Sequence, residues 1–366
     1  MKITAAVLRE PTGRFEIEEL ELEAPRDDEV LVRMVGAGLC HTDLLSREWP
    51  PEMFPGPIVY GHEGSGVVQS VGARITNVAV GDHVVLSFDS CGVCAGCGAV
   101  GPHGCYDFLP LNLAPNRPDG SSALTDANGQ PVGSHFFGQS TLASHAVVSG
   151  RSVVKVDPSF ALQHLGPLGC GVQTGAGAVL NTLDVQPGSS VAIYGAGSLG
   201  LSAVMAAKVA GAGQIIAVDR HRSRLDLAAK YGATDQVSGS PADILAAVQE
   251  LSGGGTDYSF DSTGVAAITR VAFEGLNNTG TMSMAGVGSD DELVFDYRSL
   301  ITPRTIKGVV EGNSNPSEFI PRLAQLNADG RFPFDELITT YRLADINEAE
   351  RASHDGDVIK PVFVFD

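Results

Sequence analysis

The sequence is short of basic residues and of long apolar runs. It has 24 Lys and Arg against 43 Asp and Glu, a net charge of −19, and its basic residues are not clustered. We therefore expect no nucleic-acid partner, because phosphate contacts need clustered Lys and Arg. No stretch reaches the roughly 18 uninterrupted apolar residues of a membrane span, and the opening residues lack the apolar core of a signal peptide. These absences predict a cytoplasmic protein.

Tryptophan and cysteine are also scarce, with one and six copies, yet four of the cysteines share one loop. Clustered cysteines in a reducing compartment are more often metal ligands or redox thiols than disulfides. Two-residue gaps let four thiolates enclose a single tetrahedral ion with no open position, which favours a structural zinc. An iron–sulfur cluster and free redox thiols are the alternatives. The four candidate ligands are Cys91, Cys94, Cys97 and Cys105.

The pattern of apolar segments changes near residue 170. Before it, short apolar runs alternate with Gly, Pro or Asp, which is typical of a mostly-β domain. After it, strand, glycine turn and helix alternate, which predicts a parallel sheet covered by helices. The last residues do not continue that pattern, so we expect them to return to the first domain. We predict an α/β protein in which residues 1–171 and 311–366 form one domain and residues 172–310 form the other.

A glycine-rich turn follows the strand-like run VAIY. Gly195, Gly197 and Gly200 have the Gly-x-Gly-x-x-Gly spacing and open an Ala-rich helix. In that context they make a tight turn, admit a pyrophosphate and allow close helix–strand packing. Asp219 ends the next strand, where a carboxylate accepts hydrogen bonds from ribose hydroxyls and repels a 2′-phosphate. We predict a Rossmann domain that binds NAD, although three arginines soon after Asp219 weigh toward NADP.

The two other cysteines and one histidine are far apart in the sequence. Cys40 follows a β-like run, His62 precedes another, and Cys170 lies where the chain changes character. Each residue alone is more often part of a core than a ligand. Together, one histidine and two cysteines would leave a fourth zinc position open to a substrate.

These motifs, in this order, resemble the zinc-dependent medium-chain alcohol dehydrogenases. The resemblance rests on "CHTD", "GHEGSGVVQSVG", the four-cysteine loop, "PLGCG" and "GAGSLG", and it extends over essentially the whole chain. The segments "HFFGQSTLASHAVV" and "GVVEGNSNP" look most like the aryl-alcohol (benzyl alcohol) dehydrogenases. The resemblance implies a GroES-like mostly-β catalytic domain, a Rossmann domain with a doubly wound parallel sheet, and a homo-oligomer, either a dimer or a tetramer.

The resemblance also implies two zinc ions per chain. The catalytic ion would be bound by Cys40, His62 and Cys170, and the structural ion by the four-cysteine loop. Glu63 matches a glutamate that lies near the metal and transiently binds it. Asp43 matches the carboxylate that holds the zinc histidine through its other ring nitrogen.

A proton path and further cofactor contacts follow from the same resemblance. Thr42 would accept the alcohol proton and pass it to the nicotinamide ribose. Many relatives continue this path through a histidine five residues after the zinc cysteine, where this chain has Leu45, so the rest of the path stays open. His41, Arg224 and Lys360 match positions that contact the pyrophosphate or the ribose in relatives.

The implied reaction is the interconversion of a primary aromatic alcohol and its aldehyde, with NAD as hydride acceptor and a small molecule as the partner. Allylic terpene alcohols such as geraniol or perillyl alcohol, a formaldehyde–thiol adduct and a polyol are alternative substrates. A non-catalytic dinucleotide-binding protein that keeps only the structural zinc is a further alternative. Residues 292–297 are a candidate edge strand, in a region that joins subunits in relatives. Aromatic residues that would favour a flat apolar substrate are Trp49, Phe54, Phe88, Phe136 and Phe137.

Overall fold

The structure, a computed structural model, describes residues 1–47, 54, 56–286, 288 and 292–365. Trp49 lies outside these residues. The strands are β1 (Lys2–Leu8), β2 (Phe15–Leu22), β3 (Glu29–Gly38), β4 (Ile58–Val59), β5 (Glu63–Val71), β6 (His83–Leu86), β7 (Leu124–Thr125), β8 (Pro131–Val132), β9 (His145–Ser149), β10 (Val153–Lys155), β11 (Ser190–Tyr194), β12 (Gln214–Val218), β13 (Asp235–Val237), β14 (Thr256–Asp261), β15 (Leu276–Met284), β16 (Thr305–Gly308), β17 (Ile338–Tyr341) and β18 (Lys360–Val364). The α-helices are α1 (Ala95–Val100), α2 (Phe108–Leu113), α3 (Gly171–Gly177), α4 (Ser198–Ala210), α5 (Arg222–Tyr231), α6 (Pro241–Leu251), α7 (Ala266–Glu274), α8 (Tyr297–Leu300), α9 (Pro316–Ala328) and α10 (Ile346–His354).

The chain divides into two compact units. The first unit comprises residues 1–170, 315–328 and 335–366, and the second comprises residues 171–314 and 329–334. The division therefore differs from the predicted domain bounds chiefly at residues 311–314 and 329–334. Residues 311–314 lie in the second unit because the buried carboxylate of Glu311 accepts a hydrogen bond from Gln173 at 3.2 Å.

The first unit is built mainly from antiparallel strands. One sheet has the order β4-β1-β2-β7-β8, and the other has the order β10-β6-β5-β3-β18-β17, with β9 also paired to β3. Apolar side chains of β1 and β2 pack with Phe88, Phe136 and Phe137 in one buried cluster. The chain returns to this unit near its end, where β18 pairs with β3 and places Val362 opposite Gly38.

The second unit contains a parallel sheet with the order β13-β12-β11-β14-β15-β16. Both faces of a parallel sheet are covered, so its strands are nearly continuous apolar runs, as in β11 and β12. The strand order reverses between β11 and β14, and the glycine-rich turn follows β11 at this point. Ligands bind at such a reversal in doubly wound sheets. The predicted doubly wound parallel sheet is confirmed.

The region expected to form an edge strand is different. Residues 292–296 have no regular structure, and α8 begins at Tyr297. The carboxylate of Asp296 accepts a hydrogen bond from the backbone N–H of Arg298 at 2.7 Å, which starts a helical turn instead of a strand. The edge of the parallel sheet is formed by β16. Among the residues that the structure describes, no helix is long and apolar enough to cross a membrane.

Candidate metal centres and dinucleotide turn

Three side chains that are distant in the sequence converge in the first unit. Because β3 pairs with β5, Cys40, which follows β3, lies near His62, which precedes β5. Cys170 arrives at the end of a short helical turn. The donor atoms of the three residues lie within 4.8 Å of one another, and His62 Nε2 is 3.1 Å from Cys170 Sγ. Two thiols and one imidazole at this spacing match a catalytic zinc site with one open position.

A glycine before the second cysteine makes this convergence possible. A Cβ atom at Gly169 would lie 2.0 Å from the carbonyl oxygen of Leu86, so no other residue fits without moving the backbone. The Cys170 thiol also donates a hydrogen bond to Cys40, which is the main cause that lowers the pKa of Cys40 well below its ordinary value. Lys360 and His62 add to this effect, and burial opposes it. The environment therefore favours a thiolate, the form of cysteine that binds metals.

Asp43 holds two of these ligands in position from a fully buried site. One carboxylate oxygen accepts hydrogen bonds from Nδ1 of His62 at 2.7 Å and from the backbone N–H of Gly61 at 3.0 Å. The other accepts from the backbone N–H of Cys40 at 2.9 Å. Burial lowers the pKa of His62, but the charge and hydrogen bond of Asp43 outweigh it and raise that pKa. This contact leaves Nε2 as the metal-binding nitrogen and makes it more basic.

The predicted relay residues follow on the short helix His41–Arg47. The hydroxyl oxygen of Thr42 is 3.8 Å from Sγ of Cys40. His41 is exposed and Leu45 is half-buried. A hydroxyl is therefore adjacent to the ligand cluster, and position 45 offers no group that transfers a proton.

Glu63 and Lys360 form a buried ion pair beside the ligand cluster. The Glu63 carboxylate is not part of the ligand cluster, and both of its oxygens accept hydrogen bonds of 2.9 Å from Nζ of Lys360. Both side chains are buried, with 0% and 4% exposure. Burial lowers the pKa of Lys360, but the charge and hydrogen bond of Glu63, together with the charges of Cys40 and Cys170, raise it. The Lys360 ammonium thus neutralises a buried carboxylate inside the first unit, and its contact with a pyrophosphate stays a prediction.

The four-cysteine loop forms a second cluster in the first unit. The four sulfurs lie within 4.8 Å of one another, with separations of 3.6 Å for Cys94–Cys97 and 3.9 Å for Cys91–Cys97. Zn–S bonds of about 2.3 Å give a tetrahedron with S–S edges of about 3.8 Å, which these distances match. An iron–sulfur cluster distributes its cysteines over several irons and holds the sulfurs further apart. The geometry favours one ion with a closed shell.

Backbone N–H groups support the thiolates of this loop. The N–H groups of Tyr106 and Cys97 each donate to Sγ of Cys94 at 3.4 Å. These hydrogen bonds lower the pKa of Cys94 to about 6. Burial, together with the hydrogen bond between Cys97 and Cys94, raises the pKa of Cys97 to about 12. These two neighbouring thiols share a proton. A bound metal would displace that shared proton and bring all four sulfurs to the thiolate form.

The glycine-rich turn lies in the second unit, between β11 and α4. Gly195 has φ 87°, which favours glycine, and a Cβ atom at Gly200 would lie 1.7 Å from the carbonyl oxygen of Gly195. A Cβ atom at Gly197 would meet nothing within 4 Å, so the helix N-terminus is open to an incoming phosphate. These three glycines have the local geometry that a dinucleotide turn requires.

Asp219 connects this turn to the end of β12. Its carboxylate accepts hydrogen bonds from the backbone N–H of Ala196 at 2.7 Å and from that of His221 at 2.8 Å. Arg224 lies on α5, half-buried, and burial lowers its pKa while Asp219 opposes that shift. A carboxylate held by backbone groups at this position has a fixed orientation toward a ribose.

Aromatic rings surround the histidine of the first cluster. The ring of Phe137 stacks on His62 with centroids 4.5 Å apart, and Phe136 contacts it edge-on at 5.6 Å. Phe88 packs further out, against Phe108 at 5.6 Å. Phe54 is partly buried against the same core. Two of the predicted aromatic residues therefore contact a metal ligand directly.

Sequence reasoning did not identify Gln139 and Ser87 as site residues. Nε2 of Gln139 donates hydrogen bonds to the carbonyl oxygens of His62 at 3.1 Å and Ser87 at 2.9 Å. The hydroxyl of Ser87 donates to the carbonyl oxygen of Gly169 at 2.7 Å. A lone Gln or Ser in an apolar segment carries no motif, so only the fold could reveal these contacts.

Comparisons with known families match both parts of the chain. A family profile described as "Alcohol dehydrogenase GroES-like domain" matches residues 26–158, and one described as "Zinc-binding dehydrogenase" matches residues 198–328. The first covers the loops with Cys40, His62 and the four cysteines, and the second begins at the glycine-rich helix.

Individual relatives match the chain over nearly its whole length. A geraniol dehydrogenase of Castellaniella defragrans is 43% identical, over 99% of this chain and 97% of that protein. A crystal structure of an alcohol dehydrogenase zinc-binding domain protein from Burkholderia ambifaria is 46% identical with a TM-score of 0.97, and it covers 100% of this chain and 99% of that one. The benzyl alcohol dehydrogenase structure from Acinetobacter calcoaceticus is 41% identical with a TM-score of 0.95, over 100% of both chains.

Proposed function

The chain belongs to the zinc-dependent alcohol dehydrogenase family, and we propose that it interconverts primary aromatic alcohols of the benzyl type and their aldehydes with NAD. In the oxidative direction the alcohol and NAD⁺ give the aldehyde, NADH and one proton. A zinc ion on Cys40, His62 and Cys170 would polarise the alcohol oxygen, and the nicotinamide of a dinucleotide whose pyrophosphate binds the glycine turn would accept the hydride.

The residues of the chain supply position and proton transfer. Asp43 keeps Nε2 of His62 available to bind the metal, and the lowered pKa of Cys40 favours its thiolate. Thr42, whose hydroxyl lies beside Cys40, accepts the proton of the alcohol. With Leu45 on the same short helix, we propose that the proton then passes to water by way of the ribose.

The observation that carries the aromatic assignment is the ring pair against the metal-binding histidine. Phe137 stacks on His62 and Phe136 meets it edge-on, so a flat apolar guest beside the ligand cluster would have aromatic neighbours. Aromatic pairs contribute about 0.5–1.5 kcal/mol beyond the area they bury. The similarity to a benzyl alcohol dehydrogenase structure supports the same substrate class.

The second candidate substrate is an allylic terpene alcohol. The relative with 43% identity is a geraniol dehydrogenase, and the allylic C–OH group resembles the benzylic one electronically. Geraniol is flexible, whereas benzyl alcohol is flat and rigid. Discrimination between them is therefore a question of pocket shape and not of chemistry.

Steady-state rates across a substrate panel test the proposal. We expect kcat/KM for benzyl alcohol to exceed that for cyclohexylmethanol, which has a similar size without the π system, and that for ethanol, by tenfold or more (about 1.4 kcal/mol). Geraniol and NADP are included in the same panel. Faster turnover of ethanol, or equal rates for the two ring alcohols, would exclude the aromatic assignment, and a preference for NADP would exclude the assignment of NAD.

We also propose that the protein acts as a homo-oligomer in the cytoplasm. The edge strand β16 has exposed residues throughout, and Leu300 and Ile301 beside it are 52% and 68% exposed. An uncovered apolar edge is suited to pairing with a second copy of the chain. None of the six cysteines forms a disulfide, which suits a reducing compartment.

A further inference from the structure

A short segment against the first metal cluster has an unusual backbone. Phe137 and Ser140 have φ values of 54° and 55°, in the left-handed region that residues other than glycine rarely adopt, and Gly138 between them has φ 68°. All residues of the segment 136–141 are buried. Strain of this kind persists only where surrounding contacts over-determine the conformation, and it concentrates at functional sites.

The strained backbone directs two different groups at His62. The ring of Phe137 covers the face of the imidazole. Gln139, two residues later, donates a hydrogen bond to the His62 carbonyl oxygen. The backbone N–H of Thr141 donates to the carbonyl oxygen of Gly61 at 2.9 Å. This segment thus contacts both the ring and the backbone around His62, and Asp43 accepts a hydrogen bond from Nδ1 of the ring.

Gln139 also connects the histidine to the second cysteine. The same Nε2 donates to the carbonyl oxygen of Ser87, and the Ser87 hydroxyl donates to that of Gly169, which precedes Cys170. Gln139 is fully buried, and its Oε1 has no hydrogen-bond donor among the described residues. The orientation of the amide is fixed, because an oxygen turned toward two carbonyl oxygens would be repelled. One buried amide therefore spans the backbone of two ligands that are 108 residues apart.

We propose that Gln139 is a positioning residue that holds His62 and Cys170 at the separation a bound zinc requires. The inference rests on the proposed function, since it assumes that these residues bind zinc. Gln139 donates its hydrogen bonds to backbone carbonyl oxygens and not to the metal-binding atoms, so it acts through the His62 backbone and, by way of Ser87 and Gly169, through Cys170. Loss of such an outer contact typically weakens metal binding by about 10–100-fold.

The test compares zinc release from Gln139→Met and from the wild-type holoenzyme. Methionine keeps the length and volume of the side chain and removes the two donated hydrogen bonds. Gln130→Met, at an exposed position, is the matched control. Zinc transfer to a chromophoric chelator gives the release rate, and cobalt exchange identifies the site, because a four-thiolate ion and a two-thiolate–imidazole ion have different visible spectra.

We expect Gln139→Met to release one of its two zincs about 10–100-fold faster and to alter only the spectrum of the two-thiolate–imidazole site. The four-cysteine ion and Gln130→Met should behave as in the wild type. Equal acceleration at both sites, or no acceleration, overturns the inference. Ser87→Ala removes the hydroxyl that donates to Gly169, and it should accelerate release of the same zinc. If Gln139→Met does not fold, unchanged release from Ser87→Ala overturns the inference. Wild-type protein with a single zinc would contradict the proposed function instead.

Discussion

The hydroxyl of Thr42 lies beside a metal ligand. Its role in proton transfer can be tested separately from the shape of the side chain. Thr42→Val keeps the branched side chain and removes the group that accepts the proton. We expect kcat for alcohol oxidation to fall by about 100-fold or more, because positioned proton acceptors contribute about 10²–10⁴-fold. Zinc content should stay at two per chain, since the hydroxyl is not a ligand.

Thr42→Ser is the control for this change, because it keeps the hydroxyl and loses only a methyl group. Its kcat should remain within about tenfold of the wild type. A Thr42→Val enzyme as fast as Thr42→Ser would show that the proton leaves by another route.

Lys360 and Glu63 form a buried ion pair whose removal should affect stability. Lys360→Met leaves the Glu63 carboxylate buried without its ammonium, and breaking such a pair costs about 3–5 kcal/mol. We expect a lower Tm in calorimetry of the zinc-loaded protein, and at least half of that loss should be recovered in the double variant Lys360→Met/Glu63→Gln. An unchanged Tm with a raised KM for NAD would support the pyrophosphate contact that the sequence resemblance implies.

For single residues the sequence is a good guide where a residue type has few uses. Cysteines at two-residue gaps bind metals in most settings, and three glycines spaced through a turn after a strand suit a dinucleotide, so Cys94 and Gly195 could be interpreted without a structure. The carboxylate partner of Lys360 could not be predicted, because an ammonium pairs equally well with a phosphate or a carboxylate and only the fold brings Glu63 beside it. Gln139 was missed because an amide hydrogen-bonds to whichever backbone groups the fold brings to it.

Among the structural elements, the loop from Cys91 to Cys105 has little apolar side chain to bury, and Val93 in it is 88% exposed. A zinc ion would therefore supply the energy that a hydrophobic core supplies elsewhere. Cys97→Ser should reduce the zinc content from two to one per chain. Proteolytic cleavage within the loop should become roughly tenfold faster or more, because the loop opens locally.

Cys40→Ser is the matched control for the loop experiment, because it removes a thiolate from the other cluster. It should also reduce the zinc content by one, but cleavage of the loop should stay at the wild-type rate. Equal cleavage rates in Cys97→Ser and wild type would mean that the loop holds its shape without metal.

The elements themselves could be predicted where periodicity and turn residues agree. The run of β11, its glycine turn and α4 were evident, because a buried parallel strand is continuously apolar and the turn is chemically specific. Residues 292–297 contain a short apolar run of β-forming residues, but a side-chain cap at Asp296 begins a helix there. Local capping competes with the strand pattern, and a single sequence does not rank the two.

For the whole molecule, the exposed edge of the second unit determines the expected assembly. Ile306 lies in β16 and is 38% exposed, and a lysine there would place a charge on any strand-to-strand interface. We expect Ile306→Lys to elute as a smaller species than the wild type in size-exclusion chromatography with light scattering. Ile17→Lys is the control, since Ile17 is 42% exposed in β2, a strand paired on both sides. The same mass for Ile306→Lys and wild type would place the subunit interface elsewhere.

The return of the chain to its first sheet affects how the protein is made. The second unit draws its sheet from a continuous stretch, residues 190–308, so it can fold while synthesis is still in progress. The sheet that carries Cys40 and His62 waits for β18 and Lys360, which are synthesised after the last strand of the second unit. We therefore expect the second unit to mature first, and the three-ligand centre to take up its metal only after β18 has been synthesised.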